Sequence, residues 1–273
     1  MLPNELIIYS DMDGTLLTSW DLGPIVSKNN MNAIFDFIEA GGLFSIATGR
    51  NLKNGPTYLS NLDIKLPMVL VNGALLYDAY HKKVIKKTLI SKDFLFESLD
   101  FFVSRKDISL VISDVDEVYH VEHPKKYQTP KLDFITNSIS IEGIKKLDVL
   151  KITFVTYPQE RYKIENEIHQ FKSIASVILA ASSTRFIEVV DSKVNKGDAI
   201  LEVIQIYNLH ERKLVCIGDY LNDVQMLEIA DIAAIPQNGL DSLKTPGRLI
   251  TSHHNEDAIY DLIHQLKTKL FKN

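Results

Sequence analysis

The chain has 273 residues, 45% hydrophobic and 24% charged, with a formal net charge of −5 and a single cysteine. These values describe a globular protein of one or two domains. They rule out an internal disulfide and argue against a nucleic-acid binder, which needs a basic face. No run approaches the ~20 apolar residues of a membrane span. The N-terminus lacks the basic and apolar regions of a signal peptide, so the cytoplasm is the expected location.

Leu6 to Ser10 reads as a short buried strand, and it delivers Asp11 and Asp13 into the turn at Gly14. Two like charges so close repel and resist burial unless a cation, most simply a divalent metal, sits between them. A calcium-binding helix–loop–helix is excluded. Counted from Asp11, its sixth and twelfth positions are Leu16 and Leu22 rather than glycine and glutamate.

Ser27 to Glu39 has helical spacing, with Ser27 as N-cap, Gly41-Gly42 as stop, and Met31, Ile34, Phe35 and Ile38 facing inward. Leu43 to Ala47 is the next strand and ends in Thr48-Gly49-Arg50. Gly55-Pro56 interrupts any helix after it. Met68 to Val71 is a third strand, ending in Asn72-Gly73. Apolar strands with intervening helices predict a parallel sheet covered on both faces.

From about Tyr80 to Val190 the pattern becomes that of an α+β insert with an antiparallel sheet. Leu110–Ser113 and Val118–Val121 flank a turn as a hairpin, and Lys151–Val155 is a strand. A helix is expected over about Gln159–Lys172, with Tyr162, Ile164, Ile168 and Phe171 buried. Val177–Leu179 and Phe186–Val190 are expected to pair across Ser182-Ser183-Thr184.

The first pattern returns with a helix from Gly197 to Tyr207, preceded by Lys196, and a strand from Lys213 to Ile217 that ends in Gly218-Asp219. Val224–Ala230 is helical, Ile232–Ile235 is a strand, and an amphipathic helix spans Glu256–Leu270. Cys216 sits in an apolar run and reads as a core residue. Adjacent histidines point apart, so His253-His254 reads as a solvated loop rather than a metal site. The expected organisation is an α/β core of residues 1–80 and 190–273 interrupted by an 81–189 insert.

The apolar strands bring Asp11, Asp13, Thr48, Asn72 and Asp219 to their carboxyl ends, the edge where ligands bind in an open parallel sheet. Lys196 opens a helix, and Asp223 lies one turn after Asp219. Each alone has an ordinary reading as a turn or helix start. Arg50 is either a substrate or insert contact or a structural ion pair. Asn72 either lines the site or forms a plain turn. Trp20 is either an apolar anchor or an insert contact.

In this order the segments resemble the motifs of the haloacid dehalogenase superfamily of phosphohydrolases. Asp11-Met12-Asp13-Gly14-Thr15-Leu16 looks like the first motif and Thr48 in Ala47-Thr48-Gly49-Arg50 like the second. Lys196 in Asn195-Lys196-Gly197 is similar to the third, and Gly218-Asp219-Tyr220-Leu221-Asn222-Asp223 to the fourth. The insert resembles the C2-type cap of the Cof-type sugar-phosphatase branch, which Phe186-Ile187-Glu188-Val189 and Asn238 also fit. The chain departs from the usual pattern at Lys193, at Tyr220-Leu221 and at Ala258, none of which removes a reacting group.

The resemblance implies a Rossmann-like parallel-sheet core with an inserted cap, and a Mg²⁺-dependent phosphatase acting on small phosphorylated metabolites, foremost sugar phosphates. Asp11 is the implied nucleophile and Asp13 the acid and base. Asp11, the Asp13 carbonyl and Asp219 are the implied metal ligands, and Asp223 would support Asp219 or a metal-bound water. Lys196 would balance charge. Met12, Thr48, Gly49 and Asn222 would hold phosphoryl oxygens. The insert would close as a lid, with Arg185, Glu188 and His123 among its polar candidates. Two other functions stay open: a phosphomutase, which would isomerise its substrate with little free phosphate, and a non-catalytic binding protein on the same fold. No nucleic-acid or membrane partner is expected, and the sequence is silent on oligomeric state.

Overall fold

In the computed structural model, residues 2–19, 21, 23–125, 135, 137–181 and 185–270 are described. The chain divides into two compact units. One comprises Met1–Arg50, Asn54–Ile85 and Asn195–Asn273, and the other Asn51–Lys53 and Lys86–Val194. The first contributes β1 (Leu6–Ser10), α1 (Lys28–Glu39), β2 (Leu43–Ile46), β3 (Met68–Leu70) and β4 (Leu75–Asp78), and β5 (Lys83–Lys87) leads out of it. The second holds α2 (Lys92–Ser104), β6 (Ile108–Ser113), β7 (Val118–Val121), β8 (Ser138–Ile139), α3 (Ile141–Ile144), β9 (Lys151–Thr156), α4 (Arg161–Ile168), β10 (Val177–Ala181) and β11 (Phe186–Asp191). The chain returns with α5 (Lys196–Ile206), β12 (Lys213–Ile217), α6 (Val224–Ile229), β13 (Ile232–Pro236), β14 (Leu249–Thr251) and α7 (Ala258–Leu270).

The first unit is built on a parallel sheet of order β14-β13-β12-β1-β2. All five residues of β1 are buried, as expected of a central strand covered on both faces. On one face Ile7 and Tyr9 pack with Leu214 and Cys216, with Ala199, Ile200 and Val203 of α5, and with Met226 and Leu227 of α6. Burial pushes the Cys216 thiol upward, in keeping with an inert core residue. Helices α1 and α7 pack on each other.

Ser27 caps α1 by accepting from the Asn30 amide, but the buried face is rotated from the one expected. Phe37 is 1% exposed and Phe35 52%, because the stripe that meets the core runs through Asn30, Ala33, Ile34 and Phe37. The third strand also differs. β3 pairs antiparallel with β4, and a parallel bridge, Ala47↔Val69, links it to the residue just past β2. After Gly55-Pro56 there is one short turn, Pro56–Leu59, and no longer helix.

The second unit has a six-stranded sheet of order β10-β11-β9-β6-β7-β8, antiparallel except for β7–β8. Phe94, Leu99 and Phe102 of α2 and Ile164 and Ile168 of α4 cover Leu110, Ile152, Phe154 and Ile187 on the strands. The β6–β7 hairpin pairs Ser113 with Val118 as expected, and β10 pairs with β11. The connecting residues 182–184 lie outside the described ones, as does Trp20. The helix expected over Gln159–Lys172 is shorter, and its Tyr162 is 74% exposed. Helix α2, the hairpin strands β4 and β5, and β14 were not expected from the sequence.

Candidate active site

The parallel registers place the site. Ser10 of β1 stands opposite Ile46 of β2 and Ile217 of β12. The residues that leave these strands therefore emerge at one edge: Asp11, then Ala47-Thr48, then Gly218-Asp219. The Asp11 amide donates to the Ile217 carbonyl (2.9 Å) and the Ala47 amide to the Ser10 carbonyl (2.9 Å), which closes the three ends on one another.

Lys196 reaches this edge from the first turn of α5, whose N-cap is Asn195. Its side chain is fully buried. Its Nζ donates to Asp11 Oδ1 and to Asp223 Oδ1, both at 2.6 Å. Burial would lower a lysine, but the two carboxylates outweigh it and hold Lys196 above its ordinary value. Asp223 Oδ2 accepts from the amides of Asp219 (2.9 Å) and Tyr220 (3.0 Å), so Asp223 fixes the loop that carries Asp219 through its main chain.

Asp219 Oδ1 accepts from the Thr15 hydroxyl at 3.0 Å. Gly14 sits beneath it at φ 80°, and a Cβ there would fall 2.5 Å from Asp219 Oδ2. The glycine is thus needed for its conformation and for the close approach of that carboxylate.

Carboxylate oxygens of Asp11, Asp219 and Asp223 lie within 4.8 Å of one another. Lys196 supplies a single positive charge among three acids. Burial drives Asp11 well above the usual carboxylate range, Lys196 opposes it, and Asp223, Asp219 and Asp13 reinforce the rise. Asp219 is pushed up to about 7, by burial first and then by Asp223. A largely buried cluster of hard oxygen donors with surplus negative charge fits a divalent cation. With Asp223 engaged by Lys196 and two amides, Asp11 and Asp219 are the side chains placed to hold one.

Asp13 turns away from this cluster. Its Oδ2 and Oδ1 accept from Arg50 Nε (2.7 Å) and Nη2 (2.6 Å). Arg50 lies over the Tyr58 ring, 4.9 Å from its centroid, and donates to the Asn54 carbonyl (3.3 Å). Burial opposes its charge, but Asp13 holds the guanidinium above its ordinary value. Of the two readings open for Arg50, the structure thus shows an ion pair, and it is made with Asp13. Thr48 is buried, and its hydroxyl accepts from the Arg50 amide at 3.2 Å. Asn222 Nδ2 donates to Asn72 Oδ1 at 3.2 Å. Met12 is buried in the turn between Asp11 and Asp13.

His254 is not a solvated loop residue. Its Nδ1 lies 2.7 Å from the Leu17 carbonyl and its Nε2 3.2 Å from the Ser19 hydroxyl. Its amide donates to Asn238 Oδ1 (2.9 Å), while Asn238 Nδ2 donates to the Gly14 carbonyl (2.7 Å). The two rings lie 4.7 Å apart and tilted by 31°, so the histidines do not diverge. Thr15 was also missed, and a hydroxyl directly after the Asp-x-Asp-Gly turn was the available signal. In the second unit, Glu188 Oε1 accepts from Lys151 (2.9 Å), His123 Nε2 lies 3.2 Å from the Phe102 carbonyl, and Arg185 Nε donates to the Thr156 carbonyl (3.5 Å).

A family model for haloacid dehalogenase-like hydrolases matches residues 8–263. The 5-amino-6-(5-phospho-D-ribitylamino)uracil phosphatase YwtE of Bacillus subtilis (strain 168) is 25% identical over 286 residues, covering 95% of this chain and 97% of that one. The crystal structure of SMU.1108c from Streptococcus mutans UA159 superposes with a TM-score of 0.79 at 17% identity, covering 96% and 99% of the two chains. The subclass IIB sugar phosphatase BT4131 gives 0.78 at 20% identity, covering 95% and 98%. At these identities the two structures speak for the fold.

Proposed function

We propose that this chain, which belongs to the haloacid dehalogenase-like hydrolases and is a phosphoric monoester hydrolase of that type, is a Mg²⁺-dependent phosphatase of small phosphorylated metabolites in the cytoplasm, with sugar phosphates foremost. The observation that carries this reading is the Asp11 carboxylate, held 2.6 Å from the buried Lys196 ammonium beside Asp219 and Asp223.

Asp11, the nucleophile, attacks phosphorus in line and the ester P–O bond breaks, giving an aspartyl-phosphate. Asp13 gives its proton to the departing alkoxide. It then takes one from the water that attacks the phosphorus and frees Asp11. Both Asp13 oxygens rest on Arg50, so Asp13 has to turn from that clamp to reach a leaving oxygen. Lys196 holds Asp11 and offsets charge on the phosphoryl oxygens. Thr48, Asn222 and the amides of Met12 and Gly49 bind those oxygens. Asp11, Asp219 and the Asp13 carbonyl would hold Mg²⁺, which when bound would supply charge neutralisation for the approach of an anionic nucleophile to an anionic ester. The inserted unit of the chain acts as a lid that shields the reaction from bulk water and meets the leaving group.

Phosphate release from a panel of phosphorylated metabolites tests the reading and ranks the substrates. Chelation with EDTA is expected to stop release and Mg²⁺ to restore it. Release undiminished after thorough chelation contradicts the metal assignment, and isomerised product with little free phosphate points to a mutase.

A further inference from the structure

The turn after β3 carries three consecutive residues with positive φ: Val71 at 51°, Asn72 at 56° and Gly73 at 106°. Glycine adopts this region freely and asparagine tolerates it, but a β-branched valine is a true outlier there. Such strain persists only where the surroundings over-determine it, and it gathers at functional sites.

The surroundings here are the segments that build the site. On one side the Thr48 amide donates to the Val69 carbonyl (2.8 Å), the Asn72 amide to the Thr48 carbonyl (2.9 Å) and the Val71 amide to the Arg50 carbonyl (3.0 Å). On another, a Cβ at Gly73 would fall 2.4 Å from the carbonyl oxygen of Asn195, the cap of the helix that begins with Lys196. The Asn72 side chain, 6% exposed, accepts from Asn222 Nδ2 at 3.2 Å. It lies against Gly49, where a Cβ would be 3.2 Å from Asn72 Oδ1. One turn thus touches the segments that carry Thr48, Lys196 and Asn222.

We propose that Asn72 is a positioning residue for phosphoryl transfer: its side-chain oxygen fixes the Asn222 amide, and through it the loop between Asp219 and Asp223, against the Thr48-Gly49 turn. The inference rests on the phosphatase reading above. A plain turn-former would need only a residue that accepts positive φ. Asn72→Gly separates the two roles, because glycine keeps the backbone and removes the oxygen.

The test is steady-state hydrolysis of p-nitrophenyl phosphate by the wild type, Asn72→Gly, Asn222→Ala and the double variant, with the thermal unfolding midpoint of each. Losing one aimed hydrogen bond is expected to lower kcat/KM about tenfold in Asn72→Gly, while the midpoint moves little. In the Asn222→Ala background the same change is expected to cost less than about twofold, because its partner is already gone. Asn72→Asp, which keeps an acceptor oxygen and tolerates the same backbone, is expected to retain more of kcat than Asn72→Gly. Equal fold-losses in both backgrounds, or wild-type kinetics in Asn72→Gly, would overturn the role. A wild-type protein that hydrolyses neither this ester nor any of the metabolite panel would sink the phosphatase reading and this role with it. An active wild type with additive variants sinks only the role of Asn72.

Discussion

Asp11→Asn is expected to reduce turnover by at least about 1,000-fold, because a neutral amide is a poor nucleophile and no neighbouring group replaces it. The fold should survive. An asparagine oxygen can still accept from Lys196 Nζ, which keeps its second partner, Asp223, at 2.6 Å. Burial already drives the Asp11 carboxyl well above its usual range. An ionised group is therefore disfavoured there without a bound cation, and the metal-free variant is expected to unfold no earlier than the metal-free wild type. Phosphate release and thermal unfolding in EDTA check the two halves separately. Wild-type turnover by the variant would remove Asp11 from the nucleophile's role. A large fall in its unfolding temperature would mean that the carboxylate charge stabilises the fold.

Lys196→Met should damage both activity and stability. The ammonium is fully buried and is hydrogen-bonded to two acids. Methionine fills similar space but leaves both acids without their cation, and breaking a buried ion pair from one side costs about 3–5 kcal/mol. The deficit should depend on pH. A carboxyl whose folded-state pKa lies above its unfolded one stabilises the fold below the unfolded value, and that contribution is lost as pH rises through the folded value. Asp11 is pushed upward and Asp219 is pushed up to about 7, both above the ordinary carboxylate range. Removing Lys196 removes the opposing charge, so the deficit should be larger at pH 8 than at pH 5. Thermal unfolding in EDTA at both pH values reads this directly. A variant as stable as the wild type at pH 8, or one whose deficit is greater at pH 5, would contradict the account of the charge cluster.

The chain shows where local chemistry suffices and where it does not. β1 was legible because its residues are apolar throughout and two acids and a glycine follow at once. The start of α1 was legible because Ser27 announces it. Its buried face was not, since both Phe35 and Phe37 suit a helix and only the packed core selects Phe37. Helix α2 escaped notice because Phe94, Leu95, Phe96, Phe101, Phe102 and Val103 crowd around it and leave no clean stripe, although Ser91 caps it by accepting from the Phe94 amide. β5 carries three lysines around Val84 and Ile85, of which Ile85 packs against the core, so it suits an edge strand and shows no alternating apolar run. The antiparallel pairing of β3 with β4 is a choice of partner, which a three-residue strand does not encode.

In the site, the residue types and their order could be read, but their partners could not. Nothing local says that Asp13 meets Arg50, that Asn222 meets Asn72, or that Asp223 binds the amides of Asp219 and Tyr220. The misreading of His253-His254 has a physical reason. His253 caps the turn His254–Glu256 by accepting from the Asn255 amide, and Asp257 takes a left-handed conformation at φ 64°. The two rings are thereby brought together and His254 is turned toward Leu17 and Ser19.

The central claim is that Asp11 itself carries the phosphoryl group. Borohydride reduces an aspartyl-phosphate to homoserine, so protein quenched into borohydride during turnover of a good substrate and read by peptide mass spectrometry tests the claim most directly. Homoserine at position 11, and none in protein quenched without substrate, is the predicted result. Homoserine elsewhere, or none during rapid Mg²⁺-supported hydrolysis, would contradict it.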